Sequence, residues 1–224
     1  MPSPRLVSTR VPRNPDAVAL VLHGGGARGV DVAVSPTQLS VLRMIPVAGR
    51  LARAGRGRLA VFRLLNSTRG WDASHTPVDD ARWALEQVAE QLGGRLPTAL
   101  VGHSLGGRAA ILAGDAEGVR SVVALNPWVQ PSDSVDLTGR QVLVVHGTED
   151  RVASPDRART VAATLARTAT SVGMVDVEGG KHAMLHRGRE FESLAADFVT
   201  ATLLGRDVDA PVRDLLGGQE RISV

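Results

Sequence analysis

The chain has no cysteine and no tyrosine, a single lysine (Lys181), and only three phenylalanines and three tryptophans among its 224 residues. Without cysteine there is no disulfide framework, no thiolate metal site and no thiol nucleophile. No apolar run approaches the ~18 residues of a membrane-spanning helix. The longest early run, Ala17 to Leu22, is too short for the core of a signal peptide, and no small-residue cleavage site follows it. A cytoplasmic protein without a membrane partner is the expectation. No block of five like charges occurs, and net charge is only +3 despite a pI near 10.7. That pI reflects the near-absence of groups titrating between about pH 8 and 10, because arginine stays charged above about pH 12. With so few aromatics for base stacking, nucleic acid is not an expected partner.

What is present is ordinary globular material, 43% hydrophobic and 22% charged, in a length that suits one domain. Short apolar runs stand at Ala17–Leu22, Leu59–Leu65, Thr98–Val101, Ser121–Leu125, Gln141–Val145 and Val172–Val177. Most are continuous and not alternating, the pattern of strands buried on both faces of a parallel sheet. The spacers between them are long enough for crossover helices. These features predict a doubly wound α/β fold with a mostly parallel sheet of about six to seven strands and helices on both faces. Residues 16–204 form the expected domain. Residues 1–15, with four prolines and three arginines, read as a loose lead-in, and 205–224 as a tail of no evident role. Ser35-Pro36, Thr76-Pro77 and Ser154-Pro155 each read as a hydroxyl N-cap followed by proline at the first helical position.

The sharpest motif is Gly102-His103-Ser104-Leu105-Gly106-Gly107, directly after the run Thr98–Val101 and before an apolar helical stretch. A G-x-S-x-G at a strand-to-helix junction makes a tight turn that lifts the serine hydroxyl above the sheet, so Ser104 is a candidate nucleophile. A serine needs a base, and the base an orienting acid. Gln141–Val145 runs into His146-Gly147-Thr148-Glu149-Asp150, which makes Asp150 the candidate acid with Glu149 as its nearest rival. Val172–Val177 is followed by Glu178-Gly179-Gly180-Lys181-His182, which makes His182 the candidate base. Each lies past the carboxyl end of a different strand, so all three can converge on one point. His23-Gly24-Gly25-Gly26 ends the first run, and its amides could meet an oxyanion together with the amide of Leu105.

This order of motifs resembles the α/β-hydrolase superfamily, in particular small, lidless esterases and dienelactone-hydrolase-like enzymes, over about residues 16–204. The resemblance implies a serine hydrolase with Ser104 as nucleophile, Asp150 as acid and His182 as base. Gly25 and Leu105 would then supply the oxyanion amides, with no metal and no other cofactor. A small-molecule ester, thioester or amide is the implied substrate class. The departure from the family pattern is Lys181, a cation beside the base that could lower the histidine's pKa if its ammonium pointed inward.

Three rival readings share these letters, and a fourth keeps the fold while dropping the chemistry. Gly24-x-Gly26-x-x-Gly29 fits a dinucleotide fingerprint, but no acid stands between Asp31 and Asp72 to hold a ribose. Leu20 to Gly29 also looks like a patatin-type loop, yet the chain has no Asp-Gly dipeptide for that dyad. His182 and His186 are spaced for a zinc helix, but Ala183 stands where the glutamate would be. A catalytically silent module of the same fold remains the non-enzyme alternative. Asn126 to Arg140 is too short to hold a lid domain, and Trp71 and Trp128 are placed to line an open substrate pocket.

Overall fold

The structure, a computed structural model, describes residues 3–26 and 32–224. From the amino end its strands are β1 (Arg5–Arg10), β2 (Ala17–Leu22), β3 (Leu59–Leu65), β4 (Thr98–His103), β5 (Val119–Leu125), β6 (Gln141–Gly147), β7 (Ser171–Val177) and β8 (Arg221–Ser223). The helices are α1 (Leu39–Leu42), α2 (Met44–Ala54), α3 (Thr76–Leu92), α4 (Leu105–Leu112), α5 (Pro155–Leu165), α6 (Gly188–Leu204) and α7 (Val212–Leu216). One sheet runs β1-β3-β2-β4-β5-β6-β7-β8, parallel throughout except for β1. The architecture is doubly wound α/β. No helix of the described residues is long and apolar enough to cross a membrane.

Strand alternation explains why the central runs are apolar without interruption. In β2, Ala17, Ala19 and Val21 face one side, where α2 and α6 bring Met44, Leu51, Phe191 and Phe198. Val18, Leu20 and Leu22 face the other, against α3, α4 and α5. Both faces are dry, so no position along the strand favours a polar residue. The crossovers place every loop that carries a candidate site residue at the carboxyl ends of β2 to β7, where parallel sheets bind ligands.

The two terminal segments differ from expectation. Residues 5–10 are not a loose lead-in: β1 pairs antiparallel with β3, from Arg5 opposite Leu65 to Arg10 opposite Val61. Residues 205–224 are not a free tail either. They place Val212 and Leu215 of α7 in the core and set β8 parallel to β7. The sheet therefore has eight strands, and it extends beyond residues 16–204 at both ends. Both segments escape a periodicity reading because they are edges. β1 is mostly exposed, and β8 is only three residues long.

Of the three expected caps, only Ser154 acts as read, its hydroxyl accepting from the Arg157 amide at 3.3 Å. At α3 the carboxylate of Asp72 takes the cap, accepting from the Thr76 amide at 2.8 Å. Ser35 and Thr37 form a turn, and helix begins only at Leu39. The dinucleotide fingerprint ends at Gly29, outside the described residues.

Deleting residues 219–224 removes the bonds Met174 N–H to Glu220 O and Glu178 N–H to Val224 O (both 2.8 Å), and Val224 N–H to Asp176 O (2.9 Å). It also strips buried Asp176 of Arg221. At about 1 kcal/mol per hydrogen bond the loss is about 3 kcal/mol. That corresponds to a Tm lower by roughly 6–12 °C in a chain of this size. A calorimetric melt within about 2 °C of the full chain would refute a structural role for β8.

Candidate active site

β4 enters the site through a turn that only glycine permits. A side chain at Gly102 would put its Cβ 2.0 Å from the Gly106 carbonyl oxygen. One at Gly106 would lie 2.5 Å from the carbonyl oxygens of both Leu22 and His23. With those side chains missing, α4 sits directly on β2 and β4, and Ser104 is raised at the bend. Ser104 has φ 56° and ψ −120°, a conformation that costs a non-glycine residue about 1–3 kcal/mol. Bonds on both sides hold it there: its N–H donates to Leu125 O at 3.0 Å, and its carbonyl accepts from Trp128 N–H at 3.1 Å.

The structure brings Ser104, His182 and Asp150 together. Ser104 Oγ lies 3.0 Å from His182 Nε2, and His182 Nδ1 lies 2.8 Å from Asp150 Oδ2. Because Asp150 accepts at Nδ1, that nitrogen carries the proton and Nε2 is free to accept from the serine. Asp150 Oδ1 accepts from the amides of Val152 and Ala153 at 2.8 and 2.9 Å. Burial alone would raise the Asp150 carboxyl. Bonds from His146, His182, Ala153 and Val152 outweigh it and hold the group well below the usual carboxylate range. Glu149 points to solvent, 3.7 Å from the Lys181 ammonium, and both side chains are exposed. Lys181 thus faces away from His182. His186 is exposed in an irregular segment ahead of α6, so it shares no helix face with His182.

On the other side of the serine, Gly25 packs so close to Leu105 that an added Cβ would stand 2.4 Å from Leu105 Cδ1. Neither the Gly25 nor the Leu105 amide donates to an acceptor among the described residues. The loop is fixed from behind by His23 Nε2, which accepts from Asn66 N–H at 3.1 Å, and by Gly26 N–H to Arg69 O at 2.9 Å. A cleft of about 380 Å³ opens here, lined by Gly25, Trp71, Leu105, Trp128, Val152 and His182 among others. Its two tryptophans come from different loops and share one cation: the Arg108 guanidinium lies 4.1 Å from the centre of the Trp71 ring and 5.8 Å from that of Trp128. Arg108 is itself buried and held by two 2.7 Å bonds to Asp133. A larger groove of about 680 Å³ between α1 and the start of α6 includes none of the candidate residues.

Sequence reasoning missed the supporting polar residues: His103, Asn126, His146, Arg108 and Asp133. His103 and His146 stand inside the quoted motifs, but only as spacers. Asn126 had a faint signal as the first polar residue after an apolar run. No local pattern marks the Arg108–Asp133 pair, which joins positions 25 residues apart.

Residues 82–189 match a family model described as the alpha/beta hydrolase family. No curated protein matches the sequence. Among solved structures, the chain is similar to Est1E from Butyrivibrio proteoclasticus, at 13% identity over 90% of this chain and 94% of that one, with TM-score 0.61. An alpha-beta serine hydrolase homologue from Coxiella burnetii aligns at 19% identity, 86% and 90% coverage and TM-score 0.65. XC6422 from Xanthomonas campestris, described as an α/β serine hydrolase without a lid, aligns at 18% identity, 86% and 85% coverage and TM-score 0.62. In the present chain the connection from Asn126 to Arg140 holds no helix or strand.

Burial controls the imidazole of His103, the residue before Ser104. It drives the His103 pKa down to about 3, with the neighbouring His182 adding in the same direction. The unfolded chain therefore binds a proton at His103 below about pH 6.5 that the folded chain refuses until about pH 3. Stability falls as pH drops through that window, by about 1.4 kcal/mol per pH unit from this group. His23, lowered mainly by burial, adds with the same sign. His103→Gln should therefore flatten the slope of unfolding free energy between about pH 4.5 and 6.5 by roughly 1 kcal/mol per unit. Urea titrations at three pH values measure it, and parallel slopes for both proteins would exclude a neutral buried His103.

Proposed function

The chain has the α/β-hydrolase fold, and on that premise we propose that it is a serine hydrolase of carboxylesterase-like type. It would cleave a small ester, thioester or amide through a Ser104 acyl-enzyme. The observation that carries this reading is the unbroken relay from Ser104 Oγ to His182 Nε2 (3.0 Å) and from His182 Nδ1 to Asp150 Oδ2 (2.8 Å).

The chemistry follows from the proton positions. As Ser104 Oγ attacks the substrate carbonyl carbon, its proton passes to His182 Nε2, and the imidazolium is stabilised by the Asp150 carboxylate. The carbonyl oxygen becomes an oxyanion facing the Gly25 and Leu105 amides, at the start of α4 where the helix dipole favours negative charge. Collapse breaks the bond to the leaving group, which takes the proton from His182. A water molecule then gives a proton to His182 and attacks the acyl carbon, and the acid product leaves as Ser104 Oγ regains its proton. Trp71, Trp128 and Val152 offer the substrate an apolar wall, and a cleft of about 380 Å³ suits a small molecule.

Ser104→Ala leaves the fold intact and should lower kcat by about a millionfold, the scale of loss when a triad serine is removed. It should also abolish labelling by a fluorophosphonate probe. Retention of more than about a tenth of the hydrolytic rate would reject Ser104 as nucleophile. A catalytically silent module would differ already in the wild type, which would neither label nor turn over.

The two neighbouring carboxylates separate cleanly. Asp150→Asn should lower kcat by about 10⁴-fold, because the imidazole loses its counter-charge and its tautomer. Glu149→Gln touches a solvent-facing pair, and surface pairs of this kind are worth about 0–1 kcal/mol. Its rate should stay near that of the wild type, and the reverse ranking in parallel assays of p-nitrophenyl esters would refute Asp150 as the acid.

A further inference from the structure

Asn126 is fully buried at the end of β5, at φ 43°, and its side chain bonds in two directions. Its Oδ1 accepts from the Gly147 amide at 2.8 Å, at the base of the loop that carries Asp150. Its Nδ2 donates at 3.2 Å to the carbonyls of Lys181 and His182, on the loop that carries the base. His103, the residue immediately before Ser104, donates from Nε2 to the same His182 carbonyl at 2.7 Å and is also buried. The backbone of His182 is therefore gripped by two buried side chains, one rooted beside the nucleophile and one beside the acid loop. The two loops also touch directly: Glu149 N–H donates to Gly180 O at 3.0 Å, and Gly147 lies so close to Gly180 that a Cβ there would meet the Gly180 oxygen at 2.3 Å.

We propose that Asn126 and His103 are positioning residues that set the distance between His182 Nε2 and Ser104 Oγ, by clasping the His182 carbonyl to the ends of β5 and β4. The geometry calls for such a device. His182 lies in a turn that precedes α6, with no strand or helix of its own to hold it. Its ring nitrogens meet the serine and the acid, but neither bond fixes how far the loop stands from the sheet. A carbonyl held from two strands does. Asn126 accepts this role at a left-handed φ, which asparagine tolerates better than most residues. Among the described residues its hydrogen bonds reach no lining residue of the cleft except His182, so its loss should leave substrate binding unchanged and slow the chemistry. Displacement of a catalytic group by about 1 Å costs about 10²-fold in rate.

This inference rests on the assignment of His182 as the base, and the experiment separates the two. Asn126→Gly and His103→Ala are each made in the wild type and in a His182→Ala background. Hydrolysis of p-nitrophenyl acetate is followed, and folding is checked by thermal melts. In the wild type each variant should lower kcat about 10- to 100-fold with KM within about threefold. In the His182→Ala background neither should change the residual rate by more than about twofold, since groups that act as a unit are not additive. His103→Gln, which can still donate to the His182 carbonyl, should keep kcat within about threefold of the wild type. Should Asn126→Gly not fold, the isosteric Asn126→Asp takes its place, because it retains the acceptor for Gly147 and loses both donors.

Equal fold losses in the two backgrounds would overturn the proposal. So would a folded variant with wild-type kcat, or a loss confined to KM. If His182→Ala itself turned over at the wild-type rate, the base assignment would fall and take this inference with it.

Discussion

Steric exclusion at two glycines is the constraint on which the rest of the site depends. Because Gly102 and Gly106 carry no side chains, α4 can rest on the carbonyls of Leu22 and His23, nearer than any Cβ would allow. That approach brings the Gly25 loop against Leu105 and bends the chain at Ser104 into a conformation that few residues adopt. The strain is local, and the bonds that oppose it come from β5 and the loop after it, through Leu125 and Trp128. The strand next to Ser104 thus does more than fill the sheet. It supplies the contacts that keep the elbow bent, and Asn126 follows directly on its last residue, Leu125.

A second principle is the way polar groups are satisfied at the dry end of the sheet. Two carboxylates buried there, Asp150 and Asp133, are held by donors from more than one direction. Asp150 receives His182, His146 and two backbone amides, while Asp133 receives Nε and Nη2 of Arg108 and the Gln130 amide. Unpaired, either would carry the heavy cost of a buried charge. The histidines behave differently. His103 uses Nε2 as a donor while its Nδ1 has no partner, the arrangement of a neutral buried ring serving as a one-proton strut, and His146 donates from Nε2 to the Ala153 carbonyl at 3.2 Å. A positive charge at His103 would lie beside His182, whose ring centre is 5.0 Å away, and compete for the field of Asp150.

The cleft follows the same logic on its far wall. Trp71 and Trp128 are amphipathic side chains on irregular loops, and loops alone would leave them free to swing. The Arg108 guanidinium lies within cation–π range of both, and its own orientation is locked by Asp133. Four residues from three segments thus shape a surface next to the serine. Arg108 is one helical turn from Ser104, its amide bonded to the Ser104 carbonyl at 3.1 Å, so the wall is referenced to Ser104 itself.

The amino-acid sequence by itself determined the central strands, the helices that cross over them and the local turns. Each of these is a short-range consequence of residue type: apolar runs that suit a sheet buried on both faces, glycines where two backbones touch, proline after Ser154 where a helix begins. Residues 1–15 and 205–224 were illegible in that way because edge strands bury little and so leave no apolar period. Tertiary structure alone decided whether Lys181 would face His182 or the solvent, and whether Asp72 or Thr76 would cap α3. It alone paired Arg108 with Asp133 and closed Asn126 and His103 on one carbonyl. The physical reason is the same in each case. A hydrogen bond or ion pair between residues distant in sequence depends on where two loops stand in space, and that is set by the packing of the whole sheet, not by the residues that make the bond.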